Sequence, residues 1–192
     1  HGRPEHSTEY YSLATQLPGG VQIDWPTMEG TKIFAYLKTE YAGLDSLLRH
    51  LQRLPIVAVI YISGENARQW LDRQTSRIHI SLLPVDLTEL VPSADWLIYH
   101  AGSGMASQAL AAGKPSILIP VHYEQLFTAE ALASRQLGYV LNPHWSEEQI
   151  KTVLSQALAD KQILERCALK GQEQGLGFDE LVERIHKIVR TE

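Results

Sequence analysis

The chain has 192 residues, of which 44% are hydrophobic, so it is long enough to bury one full core. Its formal net charge of −5 argues against binding nucleic acid or an anionic membrane through charge alone. The single cysteine, Cys167, excludes an internal disulfide, and no apolar run reaches the ~20 residues of a membrane span. We therefore expect a soluble, cytoplasmic protein without a membrane span that binds no nucleic acid.

The first 31 residues are polar and rich in proline and glycine, and they show no sustained periodicity. This composition predicts a lead-in or linker over residues 1–31, followed by one ordered domain over residues 32–192. The chain begins with His1 instead of methionine. We therefore expect an excised or processed piece of a longer protein, or a chain that carries a tag remnant.

Short apolar runs alternate with helical patterns after the lead-in. The predicted strands are 33–37, 56–62, 78–83, 96–99, 116–121 and a short run at 139–141. The predicted helices are 44–54, 65–73, 86–92 (a short turn or helix), 103–112, 124–137, 146–158 and a tail with one apolar face between residues 178 and 189. Ser146 and Gln149 have the spacing of a capping box, which predicts the start of the sixth of these helices.

The alternation predicts an α/β fold, a doubly wound, Rossmann-like parallel sheet of about six strands with helices on both faces. The run IVAVIYI is apolar at consecutive positions, which is typical of a strand covered on both faces. Ligands of such sheets bind beyond the carboxyl ends of the strands. A site is therefore expected in the loops that follow the predicted strands.

One of these loops contains Gly102, Ser103 and Gly104 between the strand that ends at His100 and the next helix. The first N–H groups of a helix lack partners, and the helix dipole places positive charge there, so a phosphate is a natural ligand. The glycines remove Cβ atoms that would keep an anion away, and Ser103 and His100 add donors. The residues alone leave open a simple tight turn beside a core histidine whose ring nitrogens are already hydrogen-bonded.

A dinucleotide-binding loop is a further alternative. Gly102, Gly104 and Ser107 approximate the pattern GxGxxG/A, and Glu124 follows at roughly the ~20-residue distance of a ribose-binding acid. However, the loop follows about the fourth strand and not the first, and a serine replaces the third glycine. These differences make a nicotinamide cofactor the weaker interpretation.

The whole stretch HAGSGMASQALAAGKPSILIPVHYEQ, from His100 to Gln125, resembles the donor-site signature of nucleotide-sugar glycosyltransferases of the GT-B type, including the UDP-glycosyltransferase superfamily. The likeness covers roughly residues 32–141. It implies that the chain is the C-terminal, donor-binding half of a GT-B fold. The lead-in resembles the linker that follows the N-terminal domain in that family.

The resemblance implies a set of site residues. Those assigned to the diphosphate are His100, Gly102 and the backbone amides of Ser103, Gly104 and Met105. Those assigned to the rest of the donor are Gln108 for the ribose, Glu124 and Gln125 for the sugar, and the loop of Leu82, Leu83 and Val85 for the base. Lys38, after the first strand, is a further candidate for the diphosphate because it would supply a mobile positive charge; a solvated lysine is the alternative.

Three residues depart from the family pattern. Met105 replaces a serine or threonine, and Gln108 replaces an acid, whose hydrogen bonds to ribose would be stronger. Leu82 or Leu83 stands where many members stack an aromatic ring on the base. These differences imply either an altered donor or a site that has lost its chemistry.

The function implied by the resemblance is the donor-binding half of an inverting glycosyltransferase. A sugar would move from a UDP- or dTDP-sugar to an unknown acceptor hydroxyl, without a metal or another cofactor. No catalytic residue is expected in this chain, because the base would come from an N-terminal acceptor domain or a partner subunit, and the fragment alone would be inactive. The alternatives are half of a nucleotide-sugar epimerase and a non-catalytic nucleotide-binding or interaction module.

Overall fold

The computed structural model describes residues 19–142 and 144–172 and shows one six-stranded parallel sheet. The strands are β1 (Thr31–Lys38), β2 (Ile56–Ser63), β3 (Ile78–Ser81), β4 (Trp96–Tyr99), β5 (Ser116–Leu118) and β6 (Gly138–Val140). Their order in the sheet is β3-β2-β1-β4-β5-β6. The predicted fold class is therefore confirmed.

Helices connect each strand to the next, and a further helix follows the last strand. They are α1 (Leu44–Arg53), a 3-10 helix (Ala67–Arg73), α2 (Leu87–Ser93), α3 (Ser103–Ala111), α4 (Tyr123–Ser134) and α5 (Glu147–Ala159). Residues 161–172 are helical as well. The predicted capping box is present, since Ser146 and Gln149 exchange side-chain to backbone hydrogen bonds at the start of α5.

The central strands form the core because they are covered on both faces. At four of the eight paired positions of β1 and β2, both residues are apolar and almost inaccessible, and all four residues of β4 are buried. Burial on both faces removes the polar alternation that an exposed strand would show. The continuous apolar runs of the sequence therefore mark the strands that carry the sheet.

Several element boundaries differ from the sequence expectation. The third strand ends at Ser81, because the Ser81 hydroxyl donates to the Leu83 carbonyl at 2.8 Å and turns the chain. The helix predicted over residues 65–73 is a 3-10 helix that starts after Asn66, which has a left-handed backbone with φ of 56°. The predicted fifth strand ends at Leu118 instead of residue 121. The predicted tail helix lies outside the described residues.

The described part of the lead-in packs against the domain. The amide of Val21 donates to the Pro84 carbonyl at 2.8 Å, and the Val21 carbonyl accepts from the Asp86 amide at 2.9 Å. The Trp25 indole donates to the Ser93 hydroxyl at 2.9 Å. Residues 19–30 are thus held along the start and the end of α2, although they form no helix.

None of the helices within residues 19–142 and 144–172 has both the length and the apolar character needed to cross a membrane.

The turn after α3 gives a test of the packing between α3 and the helical segment 161–172. Gly113 has φ of +63°, and a Cβ on it would lie 3.0 Å from the Cα of Ala168. We expect Gly113→Ala to lower the free energy of unfolding by about 1–3 kcal/mol, through backbone strain and displacement of the packed helix. Urea denaturation measures the change.

Gly102→Ala is the matched control, because a Cβ on Gly102 would contact no protein atom within 4 Å and its φ of −66° suits alanine. Its free energy of unfolding should lie within about 0.5 kcal/mol of the wild type. Equal stability of the two variants would contradict the packing described for the turn.

Candidate functional site

The strand order reverses direction between β1 and β4, which lie side by side at the centre of the sheet. After β1 the chain continues toward one edge of the sheet, and after β4 it continues toward the other edge. Such a reversal leaves a crevice beyond the carboxyl ends of the two strands. His100 follows β4 directly. The loop of Ala101, Gly102, Ser103 and Gly104, here called the glycine loop, follows His100. The sequence-predicted loop therefore lies at the point where doubly wound sheets bind their ligands.

His100 is buried, with 4% of its surface exposed, and both of its ring nitrogens have backbone partners. The ring accepts at Nε2 from the Lys38 amide, at 2.9 Å. Because Nε2 is an acceptor, Nδ1 carries the proton and donates to the Ile119 carbonyl, also at 2.9 Å. The ring thus has no spare donor for a phosphate in this structure, and the predicted contact of His100 with a diphosphate stays a prediction.

The electrostatic surroundings favour a neutral His100. Burial lowers the pKa of the ring below its usual 6.5, opposed by the hydrogen bond to the Ile119 carbonyl, and the charge of Lys38 lowers it further. A neutral imidazole fits the observed bonds, because an imidazolium could not accept at Nε2. His100 is therefore suited to hold the ends of β1, β4 and β5 together.

The glycine loop directs the start of α3 outward. Ala101 is fully buried and has φ of 55°, a left-handed conformation that costs a non-glycine residue about 1–2 kcal/mol. Gly102 is the N-cap of α3 and provides no side-chain hydrogen bond to the first turn. Ser103, the first residue of the helix, is exposed. The first amides of α3 are therefore available to an anion.

A cavity of about 440 Å³ lies beside this loop. It is lined by parts of β1 and β2, by the loop before α2 and the start of that helix, and by the first two turns of α3. The lining residues are Gly19, Phe34, Tyr36, Tyr61, Pro84, Val85, Asp86, Leu87, Thr88, Gly102, Gly104, Met105 and Gln108. A volume of this size is typical of pockets for small organic ligands.

The cavity brings together part of the predicted site. Gly102, Gly104, Met105 and Gln108, predicted for the diphosphate and the ribose, all line it. Val85, from the predicted base-binding loop, lines it too. Residues predicted from two distant parts of the sequence therefore line the same cavity. That these residues contact a ligand stays a prediction.

Other predicted site residues lie outside this lining. Leu82 packs against the core, and Leu83 is 61% exposed. Lys38 stands beside His100, to which its amide is bound. None of these three lines the cavity, and their predicted contacts with a ligand stay predictions.

The two residues predicted for the donor sugar lie at the start of α4, after β5. Glu124 is exposed. The side-chain oxygen of Gln125 accepts from the Val121 amide at 2.9 Å, so its amide nitrogen is left to donate. A second cavity, of about 470 Å³, adjoins this turn and includes His122 and Tyr123 in its lining.

Two aromatic residues, Tyr36 and Tyr61, are among the cavity residues that the sequence analysis missed. Tyr36 and Tyr61 stack at 4.9 Å between ring centroids, with 14° between the ring planes. Each interrupts an otherwise apolar strand close to its carboxyl end, in AYLK and IYIS respectively. A tyrosine near the carboxyl end of an apolar strand was therefore the sequence signal that could have identified these two residues.

Among the described residues, no three His, Cys, Asp or Glu side chains cluster as a metal ion would require. The predicted absence of a metal from the reaction stays a prediction.

The parallel sheet, with its strand order reversed between β1 and β4, places the chain in the class of doubly wound, Rossmann-like α/β domains. The family model described as glycosyltransferase family 28 C-terminal domain matches residues 42–185. The chain belongs to this family, and the resemblance to GT-B glycosyltransferases inferred from the sequence is confirmed.

One curated relative is the UDP-N-acetylglucosamine--N-acetylmuramyl-(pentapeptide) pyrophosphoryl-undecaprenol N-acetylglucosamine transferase of Caldicellulosiruptor saccharolyticus. It is 30% identical over 117 residues, which are 57% of this chain and 31% of the relative. The corresponding enzyme of Acetivibrio thermocellus is 28% identical over 146 residues, 69% of this chain and 38% of that protein. The chain thus spans about a third of the length of these relatives.

Solved structures show the same fold. The spinosyn rhamnosyltransferase SpnG has a TM-score of 0.73 at 18% identity, over 91% of this chain and 50% of that one. The chain therefore corresponds in fold to about half of that enzyme.

The role of His100 can be tested through the pH dependence of stability. Because the folded-state pKa is lowered, the unfolded chain takes up a proton below pH ~6.5 that the native ring resists, so stability is full above that pH and is lost as the pH falls. We expect the wild type to lose more free energy of unfolding than His100→Gln between about pH 7.5 and about pH 5.

At about pH 7.5 the same variant should be about 1–3 kcal/mol less stable than the wild type, because the buried backbone partners lose good hydrogen bonds. Urea denaturation at both pH values gives the two differences. Identical pH dependence of wild type and variant would show that His100 is not the buried neutral ring described above.

Proposed function

We propose that this chain is the donor-binding part of a glycosyltransferase that uses a UDP- or dTDP-sugar. The single observation that carries the proposal is the cavity at the switch point, which adjoins the uncapped start of α3. The curated relative's name specifies a UDP-sugar donor. SpnG was also solved with thymidine diphosphate, with a TM-score of 0.62 at 20% identity over 78% of this chain and 42% of that one.

The charges around the cavity suggest which part of the donor goes where. No lysine, arginine or histidine is among its lining residues, and the one ionisable carboxylate there is Asp86. A diphosphate inside the cavity would thus meet no positive charge and one negative charge. The uncharged nucleoside therefore suits the cavity, and the diphosphate suits the exposed start of α3 near Ser103.

Gly102 stands between these two positions. Because a Cβ on Gly102 would contact no protein atom, the volume beside it is open to a ligand. A diphosphate there would accept from the first amides of α3 and from the Ser103 hydroxyl. The sugar would then extend toward Glu124 and Gln125, whose carboxylate and amide can bind vicinal hydroxyls.

The proposed chemistry is displacement at the anomeric carbon. An acceptor hydroxyl attacks that carbon, its proton passes to a base, and the bond between the carbon and the diphosphate oxygen breaks. The growing charge on the leaving diphosphate is stabilised by the amides at the start of α3, so this step needs no metal. The base and the acceptor site are assigned to an N-terminal domain or a partner subunit.

Nucleotide binding by the 192-residue chain tests this proposal. We expect UDP or dTDP to bind in isothermal titration calorimetry, and Gly102→Ala to weaken binding by about tenfold or more, because its methyl group displaces the diphosphate from the helix amides. Gly113→Ala is the control, since its substitution lies at the other end of α3. Tighter binding of NAD than of either diphosphate, or no binding of any nucleotide, would refute the proposal.

The assignment of the sugar position has its own test. We expect Glu124→Ala to weaken binding of the UDP-sugar or dTDP-sugar that the wild type accepts by about threefold to tenfold, through loss of a hydrogen bond to the sugar, and to leave UDP binding unchanged. Glu130→Ala, exposed further along α4, is the matched control. An equal loss for UDP and for the sugar nucleotide would assign Glu124 to another part of the donor.

A further inference from the structure

One row of side chains crosses the sheet beneath the cavity. Ser81 of β3, Tyr61 of β2, Tyr36 of β1 and Tyr99 of β4 are neighbours in register on successive strands. In-register residues of parallel strands point to the same face of the sheet. The four side chains therefore lie in one row on the same face of the sheet, and two of them, Tyr36 and Tyr61, line the cavity.

The two outer hydroxyls of this row are used inside the protein. Tyr99 is completely buried, and its hydroxyl lies 3.0 Å from the hydroxyl of Ser116. The Ser81 hydroxyl donates to the Leu83 carbonyl and accepts from the Leu83 amide. These two groups hold the structure together and have little capacity left for a ligand.

The two inner hydroxyls differ from their neighbours. Tyr36 and Tyr61 are half-buried and line the cavity, and neither hydroxyl has a hydrogen-bond partner among residues 19–142 and 144–172. A phenol hydroxyl that faces a cavity is free to donate to and accept from a ligand there. A ligand in the cavity would supply hydrogen-bond partners for both tyrosine hydroxyls.

The stacking of the two rings limits their freedom. Their centroids lie 4.9 Å apart and their planes are nearly parallel, so each ring restricts the other. Burial raises the pKa of Tyr61, and the neighbouring Tyr36 raises it further, so the phenol is neutral at physiological pH and can both donate and accept. Little conformational entropy remains to be lost when a ligand binds.

We propose that Tyr36 and Tyr61 form the floor of the nucleoside pocket and determine its specificity, with their hydroxyls hydrogen-bonded to the base or ribose of the donor. This inference rests on the proposed function, since it names the residues that would recognise the nucleoside. It also gives the pocket an aromatic surface on the wall formed by the sheet, whereas the loop of Leu82 and Leu83 supplies none.

The location of the pair favours the nucleoside over the diphosphate. Both tyrosines share the cavity with Gln108, Asp86 and the apolar side chain of Met105. A carboxylate and an apolar wall disfavour a dianionic group and accept an uncharged one. The two phenols are therefore expected to contact the part of the donor that carries no charge.

Tyr36→Phe, Tyr61→Phe and the double variant of the 192-residue chain test the inference. Phenylalanine keeps the ring stack, so thermal unfolding should show folded proteins. We expect each single variant to bind UDP and dTDP about threefold to tenfold more weakly and the double variant more weakly still. The affinity for inorganic pyrophosphate, measured by competition with UDP, should not change, because pyrophosphate lacks the nucleoside.

Tyr139→Phe is the matched control, because its hydroxyl donates to Asp160 at 3.0 Å and lies outside the cavity. It should bind UDP as the wild type does. If the wild type binds UDP and the Phe variants bind it equally well, the inference is wrong and the proposed function stands. If the variants lose pyrophosphate affinity to the same extent, the tyrosines contact the diphosphate and the inference is wrong. If the wild type binds no nucleotide, both fail.

Discussion

The carboxyl end of the sheet is held together, at the point where its strand order reverses, by one buried imidazole. The ring of His100 accepts from the amide at the end of β1 and donates to the carbonyl just beyond β5. Burial disfavours the charged ring, and the bond from the Lys38 amide requires the neutral form, because a protonated Nε2 could not accept. The glycine loop starts at the next residue. The position of the first amides of α3 is therefore set by this ring, whether or not the ring ever contacts a ligand.

Two regions of different polarity lie next to His100: the cavity, which is largely uncharged, and the start of α3, which is polar. The cavity has aromatic, aliphatic and uncharged polar walls with a single carboxylate, Asp86. The helix start offers backbone amides and one exposed hydroxyl, that of Ser103. A nucleoside diphosphate has the same two-part character, an uncharged heterocycle and sugar joined to a dianion. The match between these two patterns of polarity supports the proposed donor more strongly than any single residue does.

The sequence predicts what local pattern determines. Runs that are apolar at consecutive positions identify the central strands, because a strand buried on both faces requires apolar residues at nearly every position. The loop at Gly102–Gly104 can be identified because glycines leave the backbone amides of a helix start uncovered. The partners of His100 are not predictable in this way, since they are backbone groups of strands made adjacent only by the sheet order. The stacking of Tyr36 on Tyr61 likewise depends on strand register, which a single sequence does not specify.

One wall of the cavity belongs to a segment that precedes the first strand. Gly19 lines the cavity, and Val21 holds the loop of Pro84 and Asp86 through two backbone hydrogen bonds. Gly20 permits this close approach, since a Cβ on it would lie 2.6 Å from the Pro84 carbonyl oxygen. A shortened chain that started at Thr31 would retain every strand of the sheet and still lose part of the enclosure. The cavity therefore depends on a segment of chain that contributes no strand to the sheet.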